Sequence, residues 1–337
     1  MPTTAVSVCV MKDTFIIDIN NDDIHLASSL SNFVSNEHNH LPYSHTLTVI
    51  GQAVTPYLLN GVLEKLKVVF TPLSAAFHHL HQQMGDDVVE VRGNLSDHEL
   101  ENIKPLLGDV SKAFNLDVGL QASRPSLSEP GLLVMDMDST VIAIECIDEI
   151  AKLAGVGEQV AEVTAKAMRG EIAFNDSLTH RVACLEGVPI KHLNQIRDSI
   201  PIMPGIQALL SQLKKHDWKL AIASGGFTFF ADHLKERLGL DYAISNTLAV
   251  HDECLTGKVV GEIINADVKA RTVRELAEKW QIPSNQTVAM GDGANDLVMM
   301  AESALGVACH GKPLVNEKAD VAIRVGSLNS LLYFLDK

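Results

Sequence analysis

Aromatic side chains are scarce, 5% of 337 residues, which argues against a base-stacking platform for single-stranded nucleic acid. Basic residues are short too: 27 Lys and Arg against 42 Asp and Glu leave a formal net charge of −15. A polyanion would be repelled unless a local basic patch overrode that field, so no nucleic-acid partner is expected. A chain this acidic holds a small anion only with a metal ion or a few placed cations. The five cysteines (Cys9, Cys146, Cys184, Cys254, Cys309) form no C-x-x-C and are odd in number. They read as reduced thiols, not a disulfide framework or a zinc site. No apolar run approaches the ~18 residues that span a bilayer. The opening Met1-Pro2-Thr3-Thr4 lacks a basic segment followed by an apolar one. A cytoplasmic protein with no membrane partner is therefore expected. With 46% hydrophobic and 20% charged residues, packed cores are affordable, and the length suggests about two domains.

The clearest boundary is the Ser-, Pro- and Gly-rich stretch 123–131, which divides the chain into 1–125 and 126–337. Upstream, 46–50, 88–91 and 116–120 read as strands, and 56–69 has helical periodicity. Residues 96–99 open a second helix, with a capping Ser96 or Asp97 and acids in the first turn. The order β-α-β-α-β, with room for one more strand, fits a small α+β sandwich. A further strand-like run, 15–19, has no assigned place. Downstream, short apolar strands at 132–137, 220–224, 288–292, 306–309 and 321–324 alternate with helices. That rhythm predicts an α/β unit, a Rossmann-like parallel sheet covered on both faces. Two inserts interrupt it: a helical stretch at about 145–200 and an antiparallel pair at about 242–266. Inserts of this kind beside a site commonly form lids.

Four segments carry chemistry. Residues 132–141, LLVMDMDSTV, are an apolar strand ending in two carboxylates, Asp136 and Asp138, where open α/β sheets place their ligands. Two adjacent buried acids are costly without a cation. Residues 219–226, KLAIASGG, end another strand in Ser224 and two glycines, a hydroxyl and open N–H groups suited to phosphate oxygens. Residues 265–271, NADVKAR, place Lys269 in a helix, where a lone lysine is ordinarily solvated. Residues 288–296, VAMGDGAND, end a strand in Asp292, Asn295 and Asp296. A calcium loop is excluded there, because Ala294 stands where a third-position oxygen is wanted and Ser303 where the closing glutamate belongs. The run 306–312, GVACHGK, starts like a P-loop, but Pro313 replaces the hydroxyl residue that would hold magnesium. His78, His79 and His81 sit at a spacing that brings only two onto one helical face, so a solvated helix is expected there, not a metal site.

Together and in this order, the four segments resemble the motifs of the haloacid dehalogenase superfamily over about 131–337. The resemblance implies that Asp136 is the nucleophile, forming an aspartyl phosphate. A carboxylate with a reference pKa of ~3.9 needs no base to activate it. Asp138 would be the general acid and base. Mg2+ would be the cofactor, held by Asp136, the backbone carbonyl of Asp138 and Asp292, with Asp296 a further ligand or orienting those residues. Ser224, the Gly225 N–H and Lys269 would hold phosphoryl oxygens, and Asn295 would orient substrate or the Asp136–Lys269 pair. The D-x-D-S-T at 136–140 further resembles the phosphoserine phosphatase family, which performs the last step of serine biosynthesis. Glu145 and Arg181 match its ligands for the ammonium and carboxylate of O-phospho-L-serine, and Met168 and Phe174 match its apolar lid residues, with core packing an open alternative for both. The rival substrate is another small phosphometabolite such as phosphohomoserine. The element order of the N-terminal region resembles an ACT domain, implying either serine sensing or, as favoured here, a prop for a homodimer.

Overall fold

The computed structural model of the chain describes residues 7–11, 14–18, 42–96 and 103–337. The N-terminal region contains β1 (Ser7–Met11), β2 (Thr14–Asp18), β3 (His45–Gly51), α1 (Pro56–Leu66), β4 (Phe70–Phe77), β5 (Asp87–Leu95), α2 (Ile103–Phe114) and β6 (Asp117–Gln121). Its sheet is antiparallel in the order β1-β2-β4-β5-β3-β6. From β3 to β6 the order βαββαβ is ferredoxin-like. Helix α1 starts where Thr55 Oγ1 accepts the Leu58 N–H at 3.3 Å and Pro56 fills the first turn, a position that needs no proline N–H.

The helix expected over 56–69 stops at Leu66, and Phe70 opens β4, the additional strand. Pro72, Ser74 and Ala75 are weak strand formers. The ladder absorbs the proline through a register shift between Pro72 and Ser74. The expected run 15–19 overlaps β2. The expected helix start at 96–99 falls mostly on residues outside those described.

Helices α1 and α2 cover one face of this sheet through Leu47, Val49, Leu59, Leu63, Leu107 and Val110. The opposite face is buried as well: Ile50 and Val88 join the cluster that contains Tyr333 and Phe334. At this seam the buried Asp117 carboxylate accepts the N–H groups of Arg324, Val325 and Gly326 at 2.7, 3.0 and 2.7 Å. The solvated helix expected around His78 is not formed. His78 lies in the turn after β4, 2% exposed, edge-on to Tyr333 with ring centroids 5.6 Å apart. Its Nδ1 accepts the Leu80 N–H at 3.1 Å. Strand β4 carries the chain into the seam, so helical spacing never applies.

The C-terminal region holds β7 (Leu132–Met135), α3 (Cys146–Ala154), α4 (Gly157–Met168), α5 (Phe174–Ala183), α6 (Ile190–Asp198), α7 (Ile206–Lys215), β8 (Lys219–Phe227), α8 (Thr228–Leu238), β9 (Tyr242–His251), β10 (Cys254–Val260), α9 (Ala266–Trp280), β11 (Thr287–Gly291), α10 (Leu297–Glu302), β12 (Leu305–Cys309), α11 (Pro313–Lys318) and β13 (Val321–Ile323). The strand order is β10-β9-β8-β7-β11-β12-β13. All neighbours are parallel except the β9–β10 hairpin. The sheet is an α/β core of the expected kind, and the apolar strands 132–135 and 287–291 are buried throughout, as a sheet covered on both faces requires. Central β7 lies between β8 and β11, so the carboxyl ends of three strands converge. Helices α3 to α6 stand between β7 and α7, above that end. Among the described residues no helix is long and apolar enough to cross a membrane.

Candidate active site

Asp136 follows β7 directly. Its N–H extends the ladder to the Met290 carbonyl at 2.8 Å, and its Oδ1 accepts the Met137 N–H at 2.8 Å. The residue is 6% exposed. Lys269 reaches it from the first turn of α9, which is fixed by Asn265: the Asn265 Oδ1 accepts the N–H of Asp267 and of Val268, each at 3.1 Å. The fully buried Lys269 Nζ lies 2.8 Å from Asp136 Oδ1 and 2.7 Å from Asp296 Oδ1. Burial works against its charge, but Asp136 and Asp296 outweigh that and hold its pKa above the ordinary lysine value.

Asp292 and Asp296 come from the loop after β11. The Gly293 N–H donates to Asp296 Oδ2 at 3.0 Å. A side chain on Gly291 would collide with the Asp296 carboxylate, so that glycine is required by the approach. Oxygens of Asp136, Asp292 and Asp296 all lie within 4.8 Å of one another. Burial first, then Asp136 and Asp296, raise Asp292 to about 7, against the opposing charge of Lys312. Burial and then Asp136 raise Asp296, opposed by Lys269. Three close carboxylates with one shared lysine are short of positive charge. Their hard oxygen donors fit a divalent cation.

Asp138 sits in the loop beyond β7, where Ser139 turns the chain at φ 57°. Its Oδ2 accepts the Cys146 N–H at 3.2 Å, and its Oδ1 is buried with no partner. Burial, Glu145 and Asp136 push its pKa up to about 8, against the hydrogen bonds from Cys146. Its surroundings therefore favour the protonated carboxyl over the carboxylate. The end of β8 packs tightly here: a Cβ on Gly226 would lie 3.2 Å from Asp138 Oδ2 and 3.3 Å from Ser224 Oγ. Glycine at 226 is what lets the Ser224 loop reach the Asp138 loop. Ser224 is 1% exposed.

The predicted lid residues divide. The Phe174 ring lies over Gly225, 3.2 Å from where a Cβ would stand. Met168 is 76% exposed at the end of α4, so it does not pack in a core. Glu145 stands at the solvent rim, accepting the Ser139 hydroxyl at 2.8 Å. Crowding by protein raises its pKa. The Arg181 Nε is buried with no hydrogen-bond partner. Burial lowers the Arg181 pKa, while Asp148, Glu145 and Asp138 favour its charge. None of the three forms an ion pair with it among the described residues. Asn295 places its Nδ2 3.5 Å from Asp296 Oδ1. Thr140, whose hydroxyl donates to Asp292 Oδ1 at 3.4 Å, and Asn246 were missed. Asn246 had one signal, an amide inside a strand, where asparagine is disfavoured.

Three close carboxylates, a buried lysine and the neighbouring Asp138 gather at the carboxyl ends of parallel strands, a donor set suited to a divalent cation. The chain belongs to the haloacid dehalogenase-like hydrolases, whose family model matches residues 131–303. It is 52% identical over 226 residues to the phosphoserine phosphatase of Vibrio cholerae, covering 67% of this chain and 69% of that one. To the phosphoserine phosphatase of Haemophilus influenzae it is 50% identical over 220 residues, covering 65% and 70%. The unliganded crystal structure of a probable phosphoserine phosphatase from Vibrio cholerae superposes with a TM-score of 0.71 at 43% identity, covering 86% of each chain.

Proposed function

We propose that the protein is a Mg2+-dependent phosphoserine phosphatase of the cytoplasm, hydrolysing O-phospho-L-serine to L-serine and phosphate. The observation that carries the substrate choice is Arg181: a guanidinium in the field of three acids, left without an ion pair among the described residues, its Nε buried and unbonded. A buried donor left empty costs about 1–3 kcal/mol. A substrate carboxylate would fill it with a planar two-point contact. Glu145 at the rim would take the ammonium. Phe174, already over Gly225, and Met168 would close on the substrate.

Asp136, Asp292, Asp296 and the Asp138 carbonyl would hold Mg2+. Bound there, the ion would neutralise the phosphoryl dianion and polarise its oxygens. Asp136 attacks phosphorus, and the phosphorus–serine oxygen bond breaks as the new carboxylate–phosphorus bond forms. Asp138 gives its proton to the departing alkoxide. It then takes a proton from water, which attacks phosphorus, frees Asp136 and releases phosphate. Ser224, the Gly225 N–H and Lys269 hold the phosphoryl oxygens, with Asn295 beside them.

Residues 1–125 read as an ACT-like unit serving a homodimer, and sedimentation of the full chain with and without serine tests that. Phosphate release from a panel including phosphoserine, phosphohomoserine, sugar phosphates and an aryl phosphate tests the substrate. Arg181→Ala is expected to lower kcat/KM for phosphoserine about 10–100-fold more than for the aryl phosphate, the value of hydrogen bonds to a charged group. Equal losses would remove carboxylate recognition.

A further inference from the structure

Strand β8 does not run regularly past the site. Its ladder with β9 pairs Ala223 with Ile244 and resumes with Phe227 opposite Asn246. Ser224, Gly225 and Gly226 therefore stand opposite the single residue Ser245. A bulge of this kind re-aims residues beside a site. It also strands backbone groups that must find partners elsewhere.

Asn246 supplies the partner. Its side chain is fully buried, at 0% exposure. The Nδ2 donates to the Gly225 carbonyl at 2.8 Å, and the Oδ1 accepts the Ile264 N–H at 2.9 Å. One partner only accepts and the other only donates, so the orientation of the amide is fixed. Ile264 immediately precedes Asn265, the cap of α9, and the Lys269 N–H donates to the Asn265 carbonyl at 3.0 Å. A single amide thus joins the loop carrying Ser224 and Gly225 to the helix start carrying Lys269.

We infer that Asn246 is a positioning residue for phosphoryl transfer: it fixes the phosphate loop at Ser224–Gly225 relative to the Lys269 ammonium without touching substrate. This rests on the phosphatase reading above, but only on its phosphoryl half. Aspartate at this position would keep the acceptor for Ile264 and lose the donor to Gly225, setting a carboxylate against a carbonyl. Alanine would lose both ends. Misplacing reacting groups by about 1 Å costs on the order of 100-fold in rate.

The test compares wild type, Asn246→Asp and Asn246→Ala on phosphoserine and on an aryl phosphate, with inhibition by inorganic phosphate and thermal melting measured on the same preparations. The expected result is a fall in kcat/KM of about 100-fold for both substrates, weaker phosphate inhibition, and an unchanged ratio between the two substrates. Folded variants with kcat/KM within about threefold of wild type and unchanged phosphate inhibition would overturn the inference, since losses from positioning are far larger. So would a failure of both variants to fold, which would make the role structural. If wild type cleaves the aryl phosphate and not phosphoserine, the substrate reading fails, while the aryl phosphate still tests Asn246.

Discussion

Asp117 and Asp292 are both carboxylates drawn into the protein, and the fold treats them in opposite ways. Asp117, at the seam between the two sheets, accepts three backbone N–H groups within 3.0 Å. Asp292, at the end of β11, has the Thr140 hydroxyl at 3.4 Å and two neighbouring acids. A buried charge that the fold satisfies holds the fold together. One that the fold leaves unsatisfied waits for something that arrives, here a cation. The two replacements Asp292→Asn and Asp117→Asn should therefore have opposite signatures.

Asp292→Asn should carry the largest effect, a loss of about 10³-fold in kcat at saturating Mg2+, the scale of losing one preorganised charge contact. Metal-free, the same variant should be the more stable one. A carboxylate whose folded pKa lies near 7 costs stability wherever it is ionised. Removing it should return about 1–2 kcal/mol above pH 7 once solvent screening is allowed for. Asp117→Asn should do the reverse, costing about 3 kcal/mol because buried N–H groups lose a charged partner. Its kcat, measured well below the melting point, should stay near wild type. Urea midpoints and steady-state rates on both variants decide this. A shared signature would break the distinction.

The seam also holds a group that opposes folding at low pH. Burial, then His79 and Arg124, push the His78 pKa down to about 3, with His81 adding repulsion. Glu90, 3.9 Å from the His78 Nε2, is the acid facing it, and the Arg124–Glu90 ion pair at 2.5 Å engages that acid. The unfolded chain binds a proton at about 6.5 that the folded one refuses until about 3. Stability therefore rises with pH across that window and is lost as pH falls, by up to about 1.4 kcal/mol per pH unit. His78→Gln should flatten the urea midpoint between pH 4.5 and 6.5 relative to wild type. Parallel slopes would mean that His78 is not what titrates.

The sheet core and the acids at its strand ends were legible because each signal is local: an apolar run, then a carboxylate or a glycine turn, as at 132–138 and 288–296. Strand β4 was not, since Pro72, Ser74 and Ala75 carry no strand pattern and only pairing with β5 makes them one. The helical spacing around His78 carries no helix because tertiary packing imposes a turn there. The partners of Asn246 and Asp117 were not legible, for a common reason. Each residue acts on backbone groups distant in sequence, and no spacing within one segment encodes such a partner.

The smallest expected effect lies on Met168, where exposure has removed core packing and the lid role is what a substitution tests. A methionine at 76% exposure leaves its apolar side chain in water, so removing it should leave stability within about 0.5 kcal/mol. If its use is to cover bound substrate, that surface is buried only in the complex, where one partly buried apolar side chain contributes on the order of 1 kcal/mol. Met168→Ser should then raise KM for phosphoserine several-fold, with an unchanged urea midpoint and an unchanged kcat. Phe174 gives the internal control: it already lies against Gly225, so Phe174→Ser should disturb both KM and stability. An unaltered KM in Met168→Ser would take Met168 out of the substrate site and leave Phe174 as the apolar residue that meets the phosphate loop.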